Sequence, residues 1–424
     1  MVEKGKNIIL RIKDTIHLRK FPVKHCLAKN SFTRRRKLTF PVVFSMILRL
    51  VKKSLGIECE LMEPSTFKIP PSKQAFSKAR YKIAHTGFKE LLDLSLQTAY
   101  QGDTSYGTWR GYRVIARDGS SVRLPGSQEI VSKFGRLNPN GTTGTMPSLA
   151  RGSLFVDLCT SLIISARFAP WHVGEQTMAE EQLPEVINQL RSLEQEKLLF
   201  IYDRGYISIK FIEQHNACQT DFIFRVQEKN YTNLWKMVSS GKSDFDFMLA
   251  NNSKTIGQKI RVIALSLPND KLEVLVTSLF DREKFTADDI SKAYLLRWHI
   301  EECYKRLKIG SELENFSGKN LDAVLQEFWA HLVMCNILSL HMCDRQGAWN
   351  PDQIAQYRLN FSVLFGVMRQ KLYQVLVGDC SPKSFQRLFN RASIRAKIKI
   401  RISRLYSRDK VDKPRRNHVF RRVC

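Results

Sequence analysis

The chain has 424 residues, 43% of them hydrophobic, and a formal charge of +28, enough to bury a large core divided over two or more domains. Nine scattered cysteines, odd in number and without a CxxC pair, argue against a disulfide framework and a zinc site and suit reduced thiols in a cytoplasmic protein. The charge sits at the ends: residues 1–53 hold 15 Lys/Arg against Glu3 and Asp14, residues 381–424 hold 15 against Asp409 and Asp412, and together they supply +26 of the total. A nearly neutral body with two basic ends reads as a polyanion binder, nucleic acid before membrane surface; solubilising tails are the blander alternative, and they would lack the apolar periodicity seen at both ends.

In chain order, residues 1–105 read as a basic helical DNA-binding region. "FPVVFSMILRLVKKSL" and, after Pro70 and Pro71, "SKQAFSKARYKIAHTGFKELLDLSLQTAY" are helical, with a helix-turn-helix as one arrangement they would allow. The Gly, Ser and Thr texture near 102–111 marks a boundary. Residues 106–227 then alternate strands and helices: "YRVIARDGSSVRL" as a strand that turns at Asp118-Gly119 and returns, "SLFVDLCTSLIISARF" as one long strand or two short ones, a helix over 178–196, the buried strand in "KLLFIYDRGY", a helix near 208–216 and the strand "DFIFRVQ". This pattern predicts an α/β sheet of ribonuclease H type. Residues 228–283 read as a β-rich insertion, 284–345 as the second part of the core, and 346–424 as a helical basic C-terminal region. No stretch reads as a signal peptide. The apolar run Phe40–Leu48 is too short to span a bilayer, and Phe328–Cys343 contains His331, Asn336 and His341, which predicts a buried core helix.

Three acids stand where strand ends and helix faces place functional groups. Asp118 closes "RVIARD" and Asp203 closes "LLFIYD"; open α/β sheets build sites at such carboxyl ends. Glu301 lies in "YLLRWHIEECYKRLKIG" (294–310), where helical spacing puts Tyr294, Arg297, Glu301 and Lys308 within one sector of about 60°, opposite an apolar stripe of Ala293, Leu296, Ile300, Cys303 and Leu307. A solvated face with an Arg297–Glu301 pair is the bland reading. Three converging carboxylates would instead hold two divalent ions, Mg²⁺ or Mn²⁺ rather than zinc because the ligands are all oxygen. Arg297, Lys305 and Lys308 would then lie beside a DNA phosphate. Asp118 also suits a turn former, and Asp157, Glu180, Glu181 and Glu302 are rival ligands.

The spacing Tyr294-x2-Arg297-x3-Glu301-x6-Lys308 resembles the YREK signature of bacterial insertion-sequence transposases of the group numbered family four. "DRGY" (203–206) resembles the block around that group's second catalytic Asp, and "RDGS" (117–120) the block around its first. The resemblance runs from about Phe32 to 345. It implies a ribonuclease H-like core interrupted by an insertion, a metal-binding triad of Asp118, Asp203 and Glu301, and phosphate contacts from Tyr294, Arg297 and Lys308. It further implies cleavage at double-stranded terminal inverted repeats, strand transfer to target DNA, cut-and-paste movement with a possible hairpin intermediate, and a homodimer in the synaptic complex of a bacterial, nucleoid-associated protein. Trp298 could stack on a base or pack at the edge of the stripe, and Trp235 in "NYTNLWKM" is a candidate for holding a flipped base. A non-catalytic DNA-binding derivative and a paired-carboxylate glycosidase are the competing readings; the second leaves the basic ends unexplained.

Overall fold

The computed structural model describes residues 3–34, 36–50, 53–62, 69–135, 148–228, 230–250, 257–267 and 271–400; the basic stretch 401–424 lies outside the described residues. The chain forms two compact units from interleaved segments. One comprises Ala99–Val122 and Leu149–Tyr304, the other Met1–Thr98, Arg123–Ser148 and Lys305–Cys424.

The first unit is built on an eight-stranded sheet. Its strands are β1 (Arg113–Leu124), β2 (Ser148–Asp157), β3 (Ile163–Pro170), β4 (Leu198–Tyr202), β5 (Asp221–Val226), β6 (Asp244–Leu249), β7 (Gln258–Leu267) and β8 (Lys271–Thr277), in the order β3-β2-β1-β4-β5-β8-β7-β6. β4 runs parallel to both β1 and β5, and all five of its residues are buried, as an unbroken apolar run in a central strand requires. Helices Glu175–Arg191 and Ile209–Ala217 make the connections on either side of β4. The run β3-β2-β1-β4-β5 is the ribonuclease H-like arrangement expected from the alternation of strands and helices. The insertion does not stand free: β8 pairs antiparallel with β5, and β7 and β6 continue the same sheet. The polar first half of the insertion becomes helix Thr232–Ser239 and the partly exposed edge strand β6, where polar residues cost little.

One sequence expectation changes, and another settles between its two alternatives. Asp118-Gly119 makes no hairpin; β1 runs straight through it. Gly119 lacks the positive φ that such a turn needs; its missing side chain serves close packing instead, because a Cβ there would lie 2.8 Å from the Glu175 carboxyl carbon. "SLFVDLCTSLIISARF" resolves into two strands, β2 and β3, reversing at Leu158–Leu162 through Ser161 with φ 58°.

The second unit centres on helix Leu321–Gln346. This helix is long and apolar enough to cross a membrane, but 94% of its apolar window is buried among its neighbours, which include Lys4–His17, Phe40–Arg49 and Phe361–Val377. An ion pair with both side chains fully buried, Arg80–Glu327 at 3.0 Å, fixes helix Lys73–Arg80 to it. Gln326, Ser317 and the Ala323 carbonyl each accept a further Arg80 proton, and the Ser317 and Gly318 amides donate to Glu327. Full satisfaction is what makes a buried charge pair tolerable; removing one partner would cost about 3–5 kcal/mol.

Candidate active site at the carboxyl edge of the sheet

β1 pairs with β4 only over Arg113–Ala116. Asp118 lies just past that pairing and Asp203 just past the end of β4, so two acids meet the same carboxyl edge. Asp118 is half-buried. Burial pushes its carboxyl up to about 6, Glu175 adds to the rise, and the Gly119 amide, Arg297 and Arg117 pull the other way. A carboxylate desolvated in this way gains from any cation brought beside it.

The segment Tyr294–Gly310, expected as one helix, is three pieces: Ala287–Leu295, Trp298–Lys305 and a π-turn over Arg306–Gly310. Between the first two, the amides of Leu296, Arg297, His299 and Ile300 bond three residues back, a local 3₁₀ tightening. No Gly or Pro announces this break in the sequence. Tyr294, Arg297 and Glu301 remain together across it. The Tyr294 hydroxyl lies 3.4 Å from Asp203 Oδ1, and Arg297 Nη2 donates to Glu301 Oε1 at 3.2 Å. Tyr294 and Arg297 are buried rather than solvated, 3% and 5% exposed, which disposes of the open salt-bridged face. Burial works against the Arg297 charge, but Tyr294, Asp203, Glu301 and Asp118 together hold its pKa above the ordinary value. One guanidinium thus feels all three acids. The apolar stripe packs as expected at Ala293, Ile300, Cys303 and Leu307, with Leu296 half-buried.

Lys308 behaves differently. The π-turn carries it into the second unit, where it is half-buried and lies 3.8 Å from Glu314; burial lowers its pKa, with Glu314 opposing. The constant helical spacing that grouped it with Glu301 does not hold through a turn of wider pitch. Lys305 is exposed, and Trp298 is 44% exposed with Arg297 Cζ 5.2 Å from its ring centroid. Trp235 is half-buried on its helix and donates its indole N–H to the Gln227 carbonyl at 3.1 Å.

Sequence reasoning missed a polar network beside Asp118. Glu175 Oε1 accepts from Arg151 Nη1 at 2.5 Å, Glu175 Oε2 accepts from the Tyr206 hydroxyl at 3.1 Å, and Arg117 donates to Tyr206. The Tyr304 hydroxyl donates to the Asp118 carbonyl at 2.8 Å, fixing β1 from the signature segment. The first residue of "RDGS" and the fourth of "DRGY" were the available signals; Arg151 and Glu175 come from β2 and the start of a helix, which no motif marks. Among the rival ligands, Asp157 is locked in a buried pair with Arg113 at 2.7 Å, Glu180 holds Lys210 and Glu181 holds Arg167.

Asp118, Asp203 and Glu301 form an all-oxygen donor set, the chemistry that suits a hard divalent ion such as Mg²⁺ or Mn²⁺. Among the described residues no three His, Cys, Asp or Glu side chains are close enough to hold one ion; the fit is therefore one of donor type.

Residues 109–337 match the family model described as Transposase DDE domain. Over 375 residues, covering 82% of this chain and 80% of the relative, the sequence is 21% identical to Transposase InsG for insertion sequence element IS4 of Escherichia coli (strain K12). The fold is similar to that of the piggyBac transposase in its synaptic complex with hairpin DNA, with a TM-score of 0.52 at 10% identity, over 89% of this chain and 81% of that one. The matched span runs from just before β1 to the middle of the buried helix and includes every acid of the carboxyl edge. The chain belongs to the transposase DDE-domain family, in the insertion-sequence group numbered four.

Proposed function

We propose that this transposase cleaves DNA at the terminal inverted repeats of its element and joins the freed 3′ ends to target DNA, with Asp118, Asp203 and Glu301 as the acid triad. The observation that supports this reading best is that the signature residues reach two of the acids, the Tyr294 hydroxyl lying 3.4 Å from Asp203 and Arg297 donating to Glu301 at 3.2 Å. The triad would hold two Mg²⁺ or Mn²⁺ ions, which supply a deprotonated attacking oxygen and stabilise the leaving one. Arg297, with its Nε–H unpartnered, neutralises a non-bridging oxygen of the scissile phosphate as the attacking oxygen approaches in line. Tyr294 holds Asp203 in place. Water attacks first and releases a 3′-hydroxyl; that hydroxyl then attacks the target phosphodiester and expels a 3′-oxygen, so no covalent protein–DNA species forms. Movement is by cut and paste, and two copies synapse the two ends. In the hairpin route the freed 3′-hydroxyl first attacks the opposite strand of its own end and expels the flanking strand's 3′-oxygen. Water then reopens the hairpin to regenerate the 3′-hydroxyl for target attack. Lys308 reaches a phosphate only by leaving Glu314.

The test is nicking of duplexes carrying the inverted repeats, in Mg²⁺ and in Mn²⁺, by wild type and Glu301→Gln. Metal-dependent cuts at the repeat end that vanish in the variant, with DNA binding retained, are expected. Equal cutting by both proteins would remove Glu301 from the triad, and binding without cleavage by wild type in either metal would make the protein a non-catalytic derivative.

A further inference from the structure

Several cations of the helical unit are engaged within the fold. Arg80 is buried with Glu327, Lys24 bonds Glu90, Arg11 bonds Thr98 and Gln97, and Arg49 caps the Leu61 carbonyl. A different group lines a groove of about 880 Å³ between the loop Asn30–Leu38 and the helix Lys73–Arg80: Arg34, Arg36, Lys37, Lys78 and Lys82. All five are exposed. The described lining contains no acid, and none of the five forms an ion pair among the described residues.

Unneutralised like charges held side by side repel, so folding alone gives no reason to gather them. The segment leading into this loop is tied to the residues that follow the helix. Cys26 and Ile83 form an isolated antiparallel bridge, the Leu27 amide donates to the Lys82 carbonyl at 2.9 Å, and the Ala84 amide donates to the His25 carbonyl at 2.8 Å. Farther along, Phe32 meets Phe40 edge-on with centroids 5.7 Å apart, and Phe40 is itself buried and stacked on Phe44. The cations line the same groove as Phe32, Leu38, Pro70 and Pro71, so an extended anion lying in it meets positive charge from both sides.

We infer that this groove holds the sugar–phosphate backbone of duplex DNA, as a contact separate from the carboxylate edge. The inference rests on the transposase reading for the identity of the polyanion. Two cationic walls suit a rod carrying one charge per ~1.7 Å. A flat anionic bilayer would reach only the rims of such a groove.

Fluorescence anisotropy of the full chain with a labelled inverted-repeat duplex, from 50 to 200 mM KCl, tests this. The triple variant Arg34→Ser/Lys78→Ser/Lys82→Ser should flatten the plot of log affinity against log salt by about 0.9 for each lost contact, roughly 2–3 in all. The charge-conserving Arg34→Lys/Lys78→Arg/Lys82→Arg variant should restore the wild-type slope. Both should melt within a degree or two of wild type, since the side chains are exposed. A steep wild-type slope shared by the serine triple variant would overturn the groove and leave the transposase reading standing. A flat wild-type slope, with no metal-dependent nicking, would defeat the transposase reading itself. Pelleting with phosphatidylserine vesicles at 150 mM KCl, lost in the triple variant while its DNA slope is unchanged, would assign the groove to membranes and overturn the proposal.

Discussion

Two arginine–carboxylate pairs in the sheet unit look alike on paper and differ in everything that matters. Arg113–Asp157 is sealed, with both side chains almost wholly buried. Gln195, the Tyr106 carbonyl and Asp157 take the Arg113 protons, the Cys159 and Thr160 amides and the Tyr100 hydroxyl donate to Asp157, and the guanidinium lies 4.0 Å from the Tyr100 ring centroid. Arg297–Glu301 is open. Its distance is 3.2 Å, the Glu301 side chain is 39% exposed, Arg297 Nε has no partner among the described residues, and Asp203 and Asp118 join Glu301 in holding the guanidinium's pKa up. A satisfied pair specifies one structure; a pair with spare capacity can exchange partners with an incoming phosphate or ion. The contrast separates scaffold from site without reference to any relative.

The comparison breaks most sharply in a pair of single substitutions. Asp157→Asn should leave Arg113 buried beside a neutral group and destabilise the fold by about 3–5 kcal/mol, read as loss of cooperative melting or a large fall in Tm. Glu301→Ala should melt close to wild type, and an equal loss in both would show that the two pairs are alike. Arg297→Ala should lower nicking about 10²–10³-fold, as removal of one preorganised charge donor does, with DNA binding nearly unchanged; a proportional loss of binding would make Arg297 a grip rather than a transition-state contact.

Asp118 gives a test by pH. Its folded pKa of about 6 lies above the ordinary 3.8, so the folded state binds the extra proton between those values. The ionised group therefore costs stability above pH 6, and that cost disappears as pH falls toward 4. Asp118→Asn should stabilise the metal-free protein by about 1–3 kcal/mol at pH 7.5 and by nothing near pH 4, measured by urea unfolding. Added Mg²⁺ should stabilise wild type more than the variant, and equal shifts would place the ion elsewhere. The smallest effect belongs to Lys308→Ala. Its pair with Glu314 is loose at 3.8 Å, so stability should change by under about 1 kcal/mol while cleavage or hairpin resolution weakens several-fold; unchanged product yields would leave Lys308 a structural residue.

Much of this was legible in the residues. The apolar run of β4 announced a central strand because only burial on both faces tolerates Leu198–Tyr202, and the acid that follows it had to meet the sheet edge. Tyr294, Arg297 and Glu301 were grouped correctly because they span little more than two turns, over which a local tightening does not separate them. The break in helical pitch at Lys308 was not legible, because nothing in the sequence marks the π-turn that begins beyond Glu301. Asp118-Gly119 looked like a hairpin because the dipeptide signals a turn wherever nothing else constrains it; here Glu175, 56 positions away in the chain, needs the space of a missing side chain.

By itself the sequence determined the alternation of strands and helices, the three acids and the concentration of charge at the two ends, because burial periodicity and composition are local properties. Only the tertiary structure decided which acid is sealed in a buried pair and which stays partly exposed, that Glu175, Tyr206 and Arg151 stand beside Asp118, and that five of the basic residues share one groove. Those outcomes depend on which distant partner satisfies each charge, and no spacing along the chain encodes a partner brought from another strand or helix.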